Sequence, residues 1–486
     1  MLSVIIFLPL VGAVLVALLP RSATAALRIA ALVFSLATFA LSVALLIGFN
    51  NAQSGYQYVE SVDWIKTYGI GYKLGMDGIS IWLVMLTTVI FPIAILSSTE
   101  AIRDRQKEYY ALVLLMETAT LGVFLALDMF LFYVFWEFAL VPMYFIIGMW
   151  GGEKRIYATM KFFVYTMAGS LLMLLAILYV GFSGGTFDLT ALVAKNSAWA
   201  ASVPLFLAFA IAFVIKVPLF PFHSWLPDAH TEAPTPGSVI LAAVLLKMGA
   251  YGLIRFNLAL FPEASRLFAP LMMILAVIGI LYGAIVAFAQ TDAKRLVAYS
   301  SVSHMGYIVL GIFSMNALGL QGALLQMVNH GISTGGLFLI VGYLYERRHT
   351  REMARFGGIW GKMPLYGTLA LLFVLSSVGL PALNGFVGEF VILQGAFQAN
   401  WVWAAFASLG MILSAVYLLT FYQKIFLGES RDTANDGLRD VNKREVVTVV
   451  PLLVLALVIG LYSLPFFSAM GASVTNLLTV AGLAVK

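Results

Sequence analysis

Residues 211–249 read IAFVIKVPLF PFHSWLPDAH TEAPTPGSVI LAAVLLKMG. An apolar helix carries Lys216, and Pro218 and Pro221 then interrupt it. A short polar segment follows, with His223, Asp228, His230 and Glu232. A second apolar helix starts near Pro236 and carries Lys247. A lysine inside an apolar membrane span costs roughly 2.5–3.5 kcal/mol on insertion scales, so two in adjacent spans need a reason. A helix broken beside one of them frees backbone carbonyls. At membrane depth that is tolerated only where the backbone lines a cavity or is buried in protein.

The rest of the chain fits a membrane setting. Of 486 residues, 62% are hydrophobic and 10% are Asp, Glu, Lys or Arg, against about 25% charged in soluble domains. With no cysteine, disulfides, thiolate metal sites and cysteine-ligated iron–sulfur clusters are excluded on this chain. The N-terminal stretch MLSVIIFLPLVGAVLVALLPRS lacks a basic leader and reads as a first span, not a cleaved signal. Runs of about 20 apolar residues suffice to cross a bilayer. The pattern predicts fourteen: near 3–20, 26–48, 79–99, 109–127, 130–150, 159–181, 203–222, 237–258, 267–289, 293–314, 321–345, 366–397, 401–423 and 446–469. Residues 49–77 and 182–202 read as outside loops, and 470–486 as a trailing outside segment.

An even number of spans leaves both termini on one side. Loops after odd-numbered spans hold twenty of the 28 Lys and Arg residues. The other side holds Lys66, Lys73, Lys195, Arg266 and Lys486, and three lie within spans. By the positive-inside rule both termini are outside. The same asymmetry accounts for the net charge of +5, so orientation and lipid contact explain the basic loops and no nucleic-acid partner is inferred.

Ionisable residues recur at mid-membrane depth. Glu117 and Glu137 lie on spans 4 and 5, with Glu137 ~10 Å into its span. Lys216 and Lys247 lie ~18 and ~15 Å in. His304 and His330 sit midway along spans 10 and 11. Span 12 is too long for one straight crossing; Pro381, Gly385 and Gly388 predict a break near 381–388, with Glu389 in the outer half. A lone membrane glutamate can be an interhelical hydrogen bond, a histidine a satisfied core group, and a lysine can snorkel. Several at one depth suit proton transfer. Burial favours the neutral form of each and an opposite charge reverses that, so Lys216 beside Glu137 would hold a proton and release it when the pair separates. Glu117 is a secondary candidate. No ligand spacing suggests a metal, and no nucleophile–base pair or phosphate loop is present.

The layout is all-α and polytopic. It divides into an N-terminal part (1–108, spans 1–3), a five-helix unit (109–258, spans 4–8), a second unit (259–423, spans 9–13) and a tail (424–486). Spans 7 and 12 are the broken fourth helices of the two units, the pattern of inverted repeats.

Four stretches carry a resemblance: FWEFALVPMYFIIGMWGGEKRIYATMKFFVYT (135–166), VPLFPFHSWLPDAHTEAPTPGSVILAAVLLKMGAYGL (217–253), RLVAYSSVSHMGYIVLG (295–311) and GFVGEFVILQGAF (385–397). They resemble the M-chain family of proton-pumping NADH–quinone oxidoreductase, respiratory complex I, equivalent to mitochondrial subunit 4. The glutamate of GFVGEF stands where the related L chain has a lysine. The resemblance implies that Glu137 and Lys216 are paired input residues and that Lys247 is a central lysine. It implies that His304 and His330 link to the second half and that Glu389 is the outer site. It also implies no cofactor on this chain; NADH, FMN, iron–sulfur clusters and quinone belong to partner subunits. Two related antiporter-like chains would flank it, with lipids, in a prokaryotic plasma membrane. Related alternatives are a subunit of a multisubunit cation/proton antiporter or of the photosynthetic ferredoxin-linked complex. A structural scaffold and a self-sufficient redox enzyme are readings from other classes.

Overall fold

Two helix breaks shape the molecule. The computed structural model describes residues 1–195 and 198–483; Lys486, counted above with the minority basic side, lies outside them. The chain runs α1 Leu2–Leu18, α2 Thr24–Ile47, β1 Gln57–Ile65, β2 Ile70–Met76, α3 Ile81–Ala101, α4 Gln106–Leu125, α5 Met129–Trp150 and α6 Arg155–Gly184. A short α7, Leu189–Ala194, is followed by α8 Val203–Lys216 and α9 Trp225–Glu232. A composite α10 spans Thr235–Leu258. Then come α11 Pro262–Phe288, α12 Ala293–Phe313, α13 Ala317–Arg348, α14 Pro364–Val378, α15 Asn384–Ala399, α16 Trp401–Phe426, α17 Lys443–Leu461 and α18 Leu464–Val480.

Eleven of these helices are long and apolar enough to cross a membrane, and they correspond to predicted spans 2–6, 8–11, 13 and 14. The first span is a shorter apolar helix, and predicted spans 7 and 12 are each two pieces, α8/α9 and α14/α15. The first break runs from Val217 to Ser224, where Pro218 and Pro221 deny backbone donors. Trp225 Nε1 donates to the Ile215 carbonyl at 2.8 Å and so satisfies part of the open helix end. The second break falls at 379–383, slightly earlier than predicted. Gly379 ends α14 in the left-handed region at φ 85°, which a glycine adopts without strain.

Polar caps start several helices. Asp128 accepts from the amides of Phe130 and Leu131 ahead of α5, Asp292 from Lys294 and Arg295 ahead of α12, and Asn442 and Glu445 form a capping box on α17. α10 and α13 form the buried core of the bundle, whereas α2 and α16 are mostly exposed on its flanks.

Three loop expectations are corrected. Residues 49–77 are not plain loop: β1 and β2 pair antiparallel, Val62 opposite Tyr72, around a turn closed by Gly69 at φ 69°. Residues 182–202 contain α7, started by Asp188 accepting from the Thr190 amide. The segment after the last span does not trail. Tyr462 and Ser463 end α17 and admit α18, which packs back on the bundle. There Trp82 stacks on Phe466 with ring centroids 4.3 Å apart, and the Gly78 amide donates to Ser473 Oγ at 2.9 Å. The alternating pattern of the hairpin and the apolar stripe of α18 are both weak in sequence, because apolar residues dominate everywhere. The end of the bundle bearing the hairpin, α7 and α18 is called the hairpin end below. The other end carries the loops at 102–105, 151–154, 349–363 and 427–442.

Candidate functional site

α10 departs from regular geometry on both sides of Lys247. Residues Leu241–Leu245 and Leu253–Leu258 are π-helical. A π-turn widens the helix and shifts its carbonyls out of register. The Lys247 ammonium uses the first of these, donating to the Ala242 carbonyl at 2.5 Å. Lys247 is completely buried, so that contact offsets part of the cost of holding a cation there.

From Lys247 a contiguous polar chain leads into the second half. Lys247 Nζ lies 2.6 Å from His330 Nδ1 on α13. The His330 and His304 rings have centroids 5.9 Å apart. His304, on α12, places Nδ1 2.8 Å from Glu389 Oε1 on α15. Gln326 donates to the same carboxylate oxygen at 3.1 Å, and the Tyr417 hydroxyl lies 3.4 Å from His304 Nε2. Between His304, His330 and Glu389 is a cavity of about 10 Å³ walled by Asn329, Ser333 and Ser376, close to the volume one water needs. Asn329, Ser333, Ser376 and Asn384 hydrogen-bond to one another and hold α13 against the broken α14/α15 pair. Gly388 permits this approach: a Cβ there would meet Gln326 Oε1 at 2.3 Å.

The other two predicted residues are arranged differently. Lys216 ends α8 and is buried, with its ammonium 5.4 Å from the ring centroids of both Trp136 and Phe162. Glu137 is on α5, next in sequence to Trp136. Among the described residues no hydrogen bond or ion pair joins it to Lys216, and Glu137 Oε1 has no partner. Aromatic faces thus take the place next to Lys216 that a contacting carboxylate would fill. No hydrogen bond among the described residues joins Lys216 to Lys247, although the backbones of α8 and α10 meet closely at Gly249, where a Cβ would lie 2.7 Å from the Phe213 carbonyl. Glu117 is buried on α4 and accepts from Ser35 of α2 at 3.0 Å; it faces the N-terminal helices and touches none of the other six.

Three features were not singled out from the sequence. His230 is fully buried, stacks on Phe338 at 4.5 Å, and has neither ring nitrogen paired among the described residues. Lys294, in the first turn of α12, is buried and donates to the Ala233 carbonyl. Arg255 pairs with Asp77 at the hairpin end of α10. The available signal was Arg255 itself, because an arginine in an apolar span requires a counter-charge. Among the described residues no group of three His, Asp or Glu side chains could hold a metal.

The fold is thus a polytopic bundle with two broken helices and a buried run of lysine, histidine and glutamate side chains. Comparison with known proteins gives the particular family. The family model described as "NADH:quinone oxidoreductase/Mrp antiporter, TM" matches residues 126–414, and "NADH-ubiquinone oxidoreductase chain 4, amino terminus" matches residues 1–127. The chain is 46% identical to NADH-quinone oxidoreductase subunit M of Rhodobacter capsulatus, over 98% of this chain and 96% of that one. It is 44% identical to subunit M of Rickettsia prowazekii, over 98% of both. A chain in the structure of respiratory complex I from Thermus thermophilus with bound NADH superposes with a TM-score of 0.91 at 34% identity, covering 99% of this chain and all of that one. The chain belongs to the subunit M, or chain 4, family of NADH–quinone oxidoreductase: multi-pass, antiporter-like membrane subunits of complex I.

Proposed function

We propose that this chain translocates protons through Glu137, Lys216, Lys247, His304, His330 and Glu389, driven by redox chemistry in other subunits. The observation that carries the reading is the run of contacts Lys247–His330–His304–Glu389, which joins α10, α12, α13 and α15 inside a membrane protein. Histidine can both accept and donate a proton, lysine and glutamate can hold one, and a single water can bridge the remaining gaps. Lys216 is the entry lysine and Glu137 its paired carboxylate. The two broken helices support treating 109–258 and 259–423 as inverted units, with 1–108 and 424–486 as flanking segments.

Glu137 supports the inference of neighbours. It is only partly buried, and Val134, Val141 and Phe145 on the same helix are exposed. A half-buried carboxylate among exposed apolar side chains fits a face covered by a related chain, and a second such chain would cover the opposite flank, with lipids elsewhere. NADH, FMN, iron–sulfur clusters and quinone are assigned to partner subunits. The basic asymmetry supports placing the hairpin end outside with both termini, and the bacterial relatives support a prokaryotic plasma membrane.

The test is Lys247→Ala in the assembled complex, assayed for NADH-driven proton uptake by closed vesicles. Loss of most uptake is expected. Normal pumping in a fully assembled complex would remove the reading.

A further inference from the structure

Arg255 stands eight residues beyond Lys247 on α10, with Tyr251 midway between them in the chain. Its guanidinium donates to Asp77 Oδ1 and, at 3.3 Å, to the Tyr56 hydroxyl. The rings of Tyr251 and Tyr56 lie 5.2 and 5.3 Å from the guanidinium carbon. Side-chain exposure is 6% for Arg255 and 5% for Asp77. Asp77 is itself fixed, accepting from the amides of Ile79 and Ser80 at 3.0 and 3.1 Å. Beyond the pair is a cavity of about 290 Å³ that reaches exposed Ser54, Gly55 and Asn476 at the hairpin end. Among the described residues the Arg255 Nε has no hydrogen-bond partner. The short way from Lys247 to the hairpin side therefore runs past Tyr251 and meets this cation.

We propose that Arg255 is an electrostatic seal: it bars the proton on Lys247 from leaving directly to the hairpin side, so that the only exit is through His330 and His304 to Glu389. This rests on the proton-translocating reading above. A guanidinium cannot be deprotonated in a protein, so it cannot relay a proton. It can repel one, as a pore arginine does in channels that pass water and exclude protons. The repulsion acts where it is needed, because the backbones of Arg255 and Lys247 are separated by at most ~12 Å along the helix axis. At an effective dielectric near 20 a unit charge at that distance lowers proton occupancy by up to about tenfold. Asp77 offsets part of this. Its role is to compensate a buried charge that would otherwise be too costly to hold. The two partners are thus unequal: the cation seals, and the carboxylate keeps it in place.

The experiment uses closed vesicles carrying the assembled complex, without NADH. A pH gradient is imposed and its decay followed with an internal dye. Arg255→Gln is expected to speed decay by about two- to tenfold, and Arg255→Lys, which keeps the charge, to remain tight. Asp77→Asn leaves the cation and is expected to stay tight where assembled. Adding Lys247→Ala to Arg255→Gln should abolish the leak, which general loosening of the bundle would not do. If Arg255→Gln does not assemble, Arg255→His serves: it should seal in acid and leak as pH rises through about 6.5. A tight Arg255→Gln, a leak of equal size in Asp77→Asn, or a leak surviving Lys247→Ala overturns the seal. If Lys247→Ala impairs NADH-driven pumping while Arg255→Gln stays tight, only the seal fails; normal pumping in Lys247→Ala removes the translocation reading itself.

Discussion

The Lys247 ammonium on α10 and His330 Nδ1 on α13 are 2.6 Å apart, inside the two helices that form the buried core of the bundle. A cation facing a neutral imidazole nitrogen donates one hydrogen bond, and the pair can hold one proton in two positions. Handing that proton to the histidine lets the charge cross from the first half of the chain to the second without any backbone motion. His330→Ala should therefore lower proton uptake about as much as Lys247→Ala, and the double variant should be little worse than either, since both break one link. Uptake by closed vesicles, with assembly checked on native gels, measures this. Additive losses would show that the two act separately.

Glu389 and His304 form the next link, with 2.8 Å between oxygen and nitrogen. Glu389→Gln keeps the shape and removes the charge. It should impair pumping at least severalfold, and NADH oxidation coupled to it, while the complex assembles. Glu389→Asp, one methylene shorter, should keep a measurable fraction of the activity. Full activity in Glu389→Gln would show that the carboxylate does not carry protons.

Glu117→Gln should do less than Glu137→Gln. The Glu117 carboxylate is engaged by Ser35 on α2, whereas Glu137 directly follows Trp136, whose ring lies beside the Lys216 ammonium. The comparison is the ratio of protons taken up to NADH oxidised in the two variants. Equal losses would give Glu117 a place in the route that its contacts do not suggest.

At the hairpin end, Asp188 binds Lys73 at 2.6 Å and accepts from Thr190. Burial pushes its carboxyl up, but Lys73 and Thr190 together outweigh that and leave it below the usual carboxylate range. A depressed folded-state value means the stabilisation is present above the unfolded value of about 3.9 and is lost as pH falls through the lower folded one. The pair is partly exposed, so screening limits the effect to about 0.5–1 kcal/mol. Protection of the β2 amides, taken relative to their intrinsic exchange rates, should fall below about pH 4, and Asp188→Asn should remove that acid step. An unchanged acid step in the variant would assign it elsewhere.

Gly249 lets α8 approach α10, with no room for a side chain against the Phe213 carbonyl and the Val217 amide. Gly249→Val should cost about 1–3 kcal/mol as overpacking and separate Lys216 from α10. A lower unfolding temperature together with lower pumping is expected. A fully stable, fully active variant would show that this approach is not needed.

The sequence by itself determined the membrane class, the helix breaks and the presence of ionisable groups at mid-membrane depth. Each depends on one local property: apolar length, proline placement, or an ionisable group where water is absent. Hydropathy could not resolve the hairpin or α18, because in a chain that is 62% hydrophobic amphipathic contrast is faint. The tertiary structure decided which charges meet. Spacing along the chain put Glu137 and Lys216 at one depth and suggested a pair, but packing set the Trp136 and Phe162 rings beside the lysine. It also buried Lys294 and matched Arg255 with Asp77, 178 residues away in sequence. Depth in a membrane is a one-dimensional quantity that a sequence carries. Azimuth around each helix, which decides whether two charges at one depth face each other or turn apart, is fixed only when the helices pack.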